Sequence, residues 1–141
     1  MTPLTPHVSS ARFWAFRLLP GQEIFSQLRR FMENHQIQAG WIAGCTGSLT
    51  DVALRYAGRE ETTRLTGKFE IISLNGTIEL AAEHLHLSIA DPDGAMLGGH
   101  MMPGCTVRTT LEIVVGELTA LAFTRAPCPF SGYDELVIAP R

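Results

Sequence analysis

The sequence predicts a domain of about eight β-strands and one main α-helix. Its 141 residues fit one domain, which is long enough to bury a normal core without disulfides. Only one segment has the spacing of an amphipathic helix. Elsewhere, short apolar or alternating stretches recur between turn signals rich in Gly, Pro and Asn, which is typical of strands.

The first half of the chain contains the first strand and the helix. Residues Arg12 to Leu19 are aromatic and apolar, and Pro20-Gly21 ends this predicted strand. The helix follows, and its apolar face consists of Ile24, Phe25, Leu28, Phe31 and Met32. After Gly40 the chain is apolar and then rich in small residues, which favours close strand packing or a subunit contact.

The remaining strands are predicted from their turn signals. Residues 52–57 and 67–82 have strand character, and Asn75-Gly76 within the second range predicts a hairpin turn. Residues 106–115 and 118–124 form two more strands, with Gly116-Glu117 as the short turn between them. Residues 1–10 are predicted to be a loose leader and residues 11–141 the domain.

Three histidines lie within seventeen residues near the middle of the chain. Residues 84–89 alternate between polar and apolar, so His84 and His86 are expected on one face of a strand. Asp91-Pro92-Asp93-Gly94 predicts a tight turn, after which Ala95 to Met102 return as the second strand of a hairpin. An odd-numbered loop, or a bulge at Gly98-Gly99, brings His100 opposite His84 or His86, whereas an even-numbered loop puts it on the other face.

Three neutral imidazoles with an open fourth position are the ligand set of a catalytic or substrate-binding zinc site. Imidazole also suits iron, nickel and copper, so the ligands alone do not select the metal. The alternative is that His84 and His86 are polar residues on a solvated strand face and that His100 is an unrelated turn residue. The metal hypothesis is favoured because three of only five histidines share one predicted hairpin.

Composition limits the classes of protein that this chain can represent. No apolar run reaches the roughly 18 residues of a membrane span, so we expect a soluble, cytoplasmic protein. Its three cysteines are widely spaced and indicate buried thiols rather than a disulfide framework or a zinc ribbon. The net charge is −3, and residues 83–141 hold three Lys/Arg against seven Asp/Glu, which argues against a broad basic surface for duplex DNA.

The succession of motifs resembles the plants-and-prokaryotes-conserved (PPC) domain. The resemblance covers the chain from about Arg12 to Ile138. It implies an α+β fold, with a largely antiparallel sheet and one helix packed on it, that assembles as a homotrimer. The motifs that carry it are Gly67-Lys68-Phe69-Glu70-Ile71-Ile72-Ser73-Leu74-Asn75-Gly76, His84-Leu85-His86-Leu87-Ser88, Gly98-Gly99-His100 and Thr109-Thr110-Leu111-Glu112.

The resemblance also bears on function. Plant members carry AT-hooks that enter the DNA minor groove, and the family is often labelled DNA-binding, but this sequence contains no AT-hook. Bacterial-type members resemble this chain in keeping the histidines, which implies His84, His86 and His100 as metal ligands. The fold is also similar to that of alpha-acetolactate decarboxylase, a zinc enzyme with three histidine ligands.

Glu112 is the candidate for a further role near the metal. A carboxylate could orient a ligating imidazole or relay a proton there. The alternative is an ordinary strand residue paired with an arginine such as Arg108.

Three hypotheses about function remain open from the sequence. The first is a trimeric module that binds DNA or a regulatory partner. The second is a metal-dependent enzyme or small-molecule sensor acting at the three histidines, with zinc as the first candidate and no reaction assigned. The third is a metal site that only stabilises a hairpin or a subunit contact.

Overall fold

The structure is a computed structural model that describes residues 4–80 and 82–141, and this part of the chain forms one helix and eight strands. In chain order they are β1 (Ala11–Leu18), α1 (Ile24–His35), β2 (Gly40–Arg55), β3 (Thr63–Ile78), β4 (Glu83–Ala90), β5 (Met96–Met101), β6 (Thr106–Leu118), β7 (Leu121–Pro127) and β8 (Asp134–Pro140). The predicted α+β fold is therefore confirmed. Predictions that fall on residues 1–3 and 81 lie outside the described residues.

The helix begins where the sequence predicts it. Glu23 caps its N-terminus, because its carboxylate accepts hydrogen bonds from the backbone amides of Phe25 (3.0 Å) and Ser26 (2.8 Å). It ends at Gln36, whose φ of 52° is left-handed. Of the predicted apolar face, Phe31 is half-buried, and the fully buried members are Ile24, Phe25, Leu28 and Met32.

Six strands form one antiparallel sheet in the order β1-β6-β2-β3-β4-β5. The long strand β2 also pairs with β5, through Leu54 opposite Met101 and Arg55 opposite His100. Strands β2 to β5 therefore close on themselves into a small barrel-like ring. The other two strands, β7 and β8, pair in a separate two-stranded sheet.

The predicted hairpin at Asn75-Gly76 is wrong. Both residues lie inside β3, where Asn75 pairs with His86 and Gly76 with Leu85. Gly76 has a φ of 141°, so the glycine serves a distorted strand rather than a turn. The chain reverses later, where the Glu79 amide donates to the Ala82 carbonyl at 3.0 Å.

The predicted turn at Gly116-Glu117 is also wrong. Strand β6 continues to Leu118, and the chain turns at Thr119 and Ala120 instead. Gly116 is glycine for a packing reason, because a Cβ there would collide with the Trp41 indole. The strand that follows leaves the six-stranded sheet to pair with β8.

One main apolar core lies between the helix and the inner face of the large sheet. The four buried helix residues pack in it with side chains from every strand of that sheet. A second, smaller cluster joins β7 to this body through Ala39, Leu121 and Phe123. Among the described residues, the helix is neither long nor apolar enough to cross a membrane.

Candidate metal centre

The three histidines lie on the β4–β5 hairpin, on the outer face of the ring. Their neighbours Leu85, Leu87 and Met101 are buried, so strand alternation directs the imidazoles outward. His86 pairs directly with His100 across the two strands. The register is regular from His86–His100 to Ala90–Met96. The five residues between the strands therefore form an odd loop, and no bulge at the glycine pair is needed.

The tight turn predicted at Asp91 is present. The Asp91 carboxylate accepts hydrogen bonds from the backbone amides of Asp93 and Ala95, both at 2.9 Å. Gly94 takes a φ of 78° and donates its amide to the Asp91 carbonyl at 2.9 Å. The side chain of one turn residue thus fixes the loop length on which the histidine register depends.

The hairpin brings the three imidazoles together. One ring nitrogen from each lies within 4.8 Å of the others. The ring centroids are separated by 5.1 Å for His84 and His86, 5.3 Å for His84 and His100, and 5.8 Å for His86 and His100. No described residue exchanges a hydrogen bond with any of the three side chains, so all their nitrogens are free to bind.

Burial and neighbouring charge favour the neutral form of two of these rings. Burial, the positive charge of Arg55, and the other two histidines lower the pKa of His100 to about 4. Burial, His86 and Arg125 lower the pKa of His84. Because a metal ion binds the unprotonated imidazole, little proton competition is expected at neutral pH.

The donor set therefore fits a divalent metal ion. It offers three imidazole nitrogen ligands and leaves a side open, which is the arrangement of catalytic zinc sites. His84 and His86 are exposed and His100 is half-buried, so an ion held here would be reached from solvent.

A half-open cavity of about 860 Å³ lies against the three histidines, a volume that accommodates a small molecule. Its walls include the paired hydroxyls of Ser73 and Ser88, whose oxygens are 2.6 Å apart. Arg55 and Tyr133 also line it, and both line a second depression beside His84 and His100. No local sequence pattern points to either residue. Arg55 reaches the site through the long-range pairing of β2 with β5.

Glu112 lies elsewhere on the molecule. It is exposed on β6, opposite Arg17 of β1 and Thr46 of β2. With these residues it lines a shallow depression that does not include the histidines. Its role near the metal stays a prediction, and the assembly of the histidine cluster does not depend on it.

Comparison with known proteins identifies the family. The sequence model of the Plants and Prokaryotes Conserved (PCC) domain matches residues 6–119. The chain is 41% identical over 129 residues to the bifunctional protein GlmU of Synechococcus sp. (strain JA-3-3Ab), which covers 92% of this chain and 21% of that protein. The chain thus spans about a fifth of the length of the GlmU relatives that it matches.

Three solved structures are also similar. A hypothetical protein from Salmonella cholerae-suis is 71% identical with a TM-score of 0.95, over 96% of this chain and 98% of that one. A metal-containing protein from Archaeoglobus fulgidus is 23% identical with a TM-score of 0.81, over 96% and 99%. A candidate DNA-binding protein from Bacteroides thetaiotaomicron is 22% identical with a TM-score of 0.78, over 93% and 98%. At 23% and 22% identity, the last two structures show that they share the fold of this chain.

Proposed function

The chain belongs to the Plants and Prokaryotes Conserved domain family, and we propose that it is a metal-binding member that acts on a small molecule. In this proposal His84, His86 and His100 hold one divalent ion. The convergence of three imidazoles with free nitrogens beside a cavity is the observation that carries it. The proposal fits the presence of a metal-containing protein among the structural neighbours.

Zinc is the first candidate for the ion. It accepts three histidine ligands readily and leaves a fourth position for water or substrate. A divalent ion bound here would supply Lewis-acid polarisation of a carbonyl group or lower the pKa of a bound water. The protein's own part is to present neutral imidazoles and to enclose a small ligand, as an enzyme or as a sensor.

Zinc titration of histidine variants tests the site. His84→Ala removes one of three ligands, so we expect zinc affinity to fall at least about 10-fold. His7→Ala is the matched control, because His7 is exposed outside the cluster. The measurement is competition with a chromophoric chelator, and equal zinc affinity in wild type and His84→Ala would rule out the site.

Chelation separates a functional site from a structural one. Strands β4 and β5 are joined to each other and to β3 and β2 by backbone pairing, which does not require an ion. We therefore expect the metal-free protein to keep its circular dichroism spectrum and its oligomeric state. Unfolding on chelation would instead favour a metal that only stabilises the fold.

DNA or regulatory-partner binding is the second candidate. It is supported by the fold shared with the candidate DNA-binding protein from Bacteroides thetaiotaomicron. Three arginines of the N-terminal half already pair with carboxylates, Arg12 with Glu117, Arg29 with Glu83 and Arg59 with Glu61, which weakens this candidate because fewer free cations remain for phosphate. Salt-sensitive retardation of duplex DNA in gel-shift assays would support this candidate, and no retardation at low salt would reject DNA binding.

We also propose that the chain forms a homotrimer. The support is an apolar area on the outer face of β1, β6 and β2, where Phe13 is 63% exposed and packs edge-on against Trp41, and Val114 is 37% exposed. Light scattering coupled to size-exclusion chromatography should give three times the 15.4 kDa chain mass. A monomer mass at micromolar concentration would contradict this assembly.

A further inference from the structure

We infer that Arg55 binds the carboxylate of the small molecule that occupies the histidine cavity, and that the ligand is therefore a small carboxylic acid with a second oxygen for the metal. The inference deepens the proposed function and rests on it. Three features of Arg55 support it: its position in the sheet, the lack of a partner, and the chemistry of its guanidinium group.

The first feature is a row of directly paired residues across four strands. Asn75 of β3 pairs with His86 of β4, and His86 pairs with His100 of β5. His100 in turn pairs with Arg55 of β2. Because directly paired residues project from the same face of a sheet, Arg55 is the next side chain after His100 on the face that carries the imidazoles.

The second feature is that Arg55 has no partner among the described residues. Among the described residues one other Lys or Arg is half-buried, Arg125, and it donates to Glu79 at 2.8 Å and Thr77 at 3.2 Å. Arg55 is half-buried and lines the cavity, yet no described carboxylate, carbonyl or hydroxyl accepts from its side chain. Partial burial of an unpaired cation is costly, so the position favours an anionic ligand.

The third feature is the match between guanidinium and carboxylate. The planar guanidinium group donates two parallel hydrogen bonds to a carboxylate, which fixes the orientation of a small ligand. The neighbouring His100 then directs a metal ion toward the same end of the cavity. A 2-hydroxy or 2-oxo acid satisfies both groups, since its carboxylate pairs with Arg55 while its other oxygen lies one carbon away.

The test uses zinc-loaded protein and the 2-hydroxy acid glycolate, with binding followed by protein NMR. We expect Arg55→Gln to keep its zinc and to bind glycolate about 10- to 100-fold more weakly, because a hydrogen-bonded charge pair is lost. The glycolate affinity of Arg55→Lys should fall between those of wild type and Arg55→Gln. Arg59→Gln is the matched control, because Arg59 lines the same cavity but is exposed and paired with Glu61.

Glycolamide isolates the carboxylate, because it keeps the hydroxyl group and lacks the charge. Its affinity should be the same in wild type and Arg55→Gln. Equal glycolate affinity in these two proteins, with zinc bound in both, would overturn the inference and leave the metal site intact. Tighter binding of inorganic phosphate than of glycolate would overturn the carboxylate assignment, and a wild type that binds no zinc would overturn the proposed function and this inference together.

Discussion

At the scale of single residues, the surroundings of His100 favour the form of the side chain that a metal ion needs. The imidazole must be neutral to bind the ion, and burial, together with the neighbouring Arg55 cation, lowers the pKa of His100 to about 4. Arg55, which contributes to this lowered pKa of His100, has no partner among the described residues and so is available to an anionic ligand. The sequence predicted the three imidazoles from strand alternation, but it could not predict Arg55, whose pairing partner lies 45 positions along the chain.

Glu117 is a buried residue whose carboxylate makes the stability of the fold depend on pH. Its side chain is fully buried, and it accepts hydrogen bonds from Arg12 (2.7 Å), Trp14 (3.1 Å) and Arg141 (3.2 Å). Burial raises the pKa of Glu117, but the hydrogen bonds from Arg12 and Trp14 outweigh it and leave the pKa below its ordinary value of 4.5. The ionised carboxylate therefore contributes stability above about pH 4.5, and this contribution is lost as the pH falls through the folded pKa.

We predict that Glu117→Gln is less stable than wild type at pH 7 by about 1–3 kcal/mol, because charge-assisted hydrogen bonds are lost. The difference should shrink as the pH falls below 4.5 and through the lowered pKa of Glu117, where the wild-type carboxylate itself becomes protonated. Urea unfolding of both proteins between pH 7 and pH 3 measures it. A difference that stayed constant over that range would contradict a role for the ionised group.

At the scale of elements, local patterns predicted the strands and the helix more accurately than they predicted the turns. The Asp91 turn was predicted correctly because its side chain closes the loop locally. Asn75-Gly76 and Gly116-Glu117 were predicted as turns but lie within strands. In both cases a residue of another strand leaves no room for a side chain, His84 at Gly76 and Trp41 at Gly116. Such contacts between strands cannot be predicted from sequence periodicity.

Gly76→Ala tests the distorted part of β3. A Cβ at Gly76 would collide with the His84 carbonyl, and the φ of 141° is strained for alanine. We expect a loss of stability of about 2–4 kcal/mol, since strain and a backbone collision add. Urea unfolding is the measurement. Gly58→Ala is the matched control, because its φ of 75° is also left-handed but nothing lies within 4 Å of a Cβ there. Equal losses of stability in the two variants would show that the collision with the His84 carbonyl does not destabilise the fold.

Asp91→Ala tests the turn that sets the histidine register. Two backbone amides lose their acceptor, so we expect a loss of about 1–2 kcal/mol in the free energy of unfolding. Asp93→Ala is the control, because the Asp93 side chain is exposed and makes no hydrogen bond with the described residues. Thermal or urea unfolding is the measurement. Equal losses in the free energy of unfolding for the two variants would show that the Asp91 carboxylate does not stabilise the turn.

At the scale of the whole molecule, closure of β2 against β5 makes the site. The β4–β5 hairpin alone would carry three histidines on an exposed face, and pairing with β2 adds the cation and one wall of the cavity. The single helix was predictable from periodicity, and the expected total of about eight strands agrees with the structure, although no sequence pattern predicted β8. The order of strands in the sheet was not, because it depends on pairings between segments far apart in the chain.

Elemental mass spectrometry shows directly whether His84, His86 and His100 hold one metal ion. Wild type and His86→Ala are compared after purification without a histidine tag. We expect about one ion per chain in wild type, with zinc as the first candidate, and loss of most of it in the variant. Wild-type protein without metal after incubation with zinc, or equal metal content in both proteins, would show that the three histidines do not form a metal site.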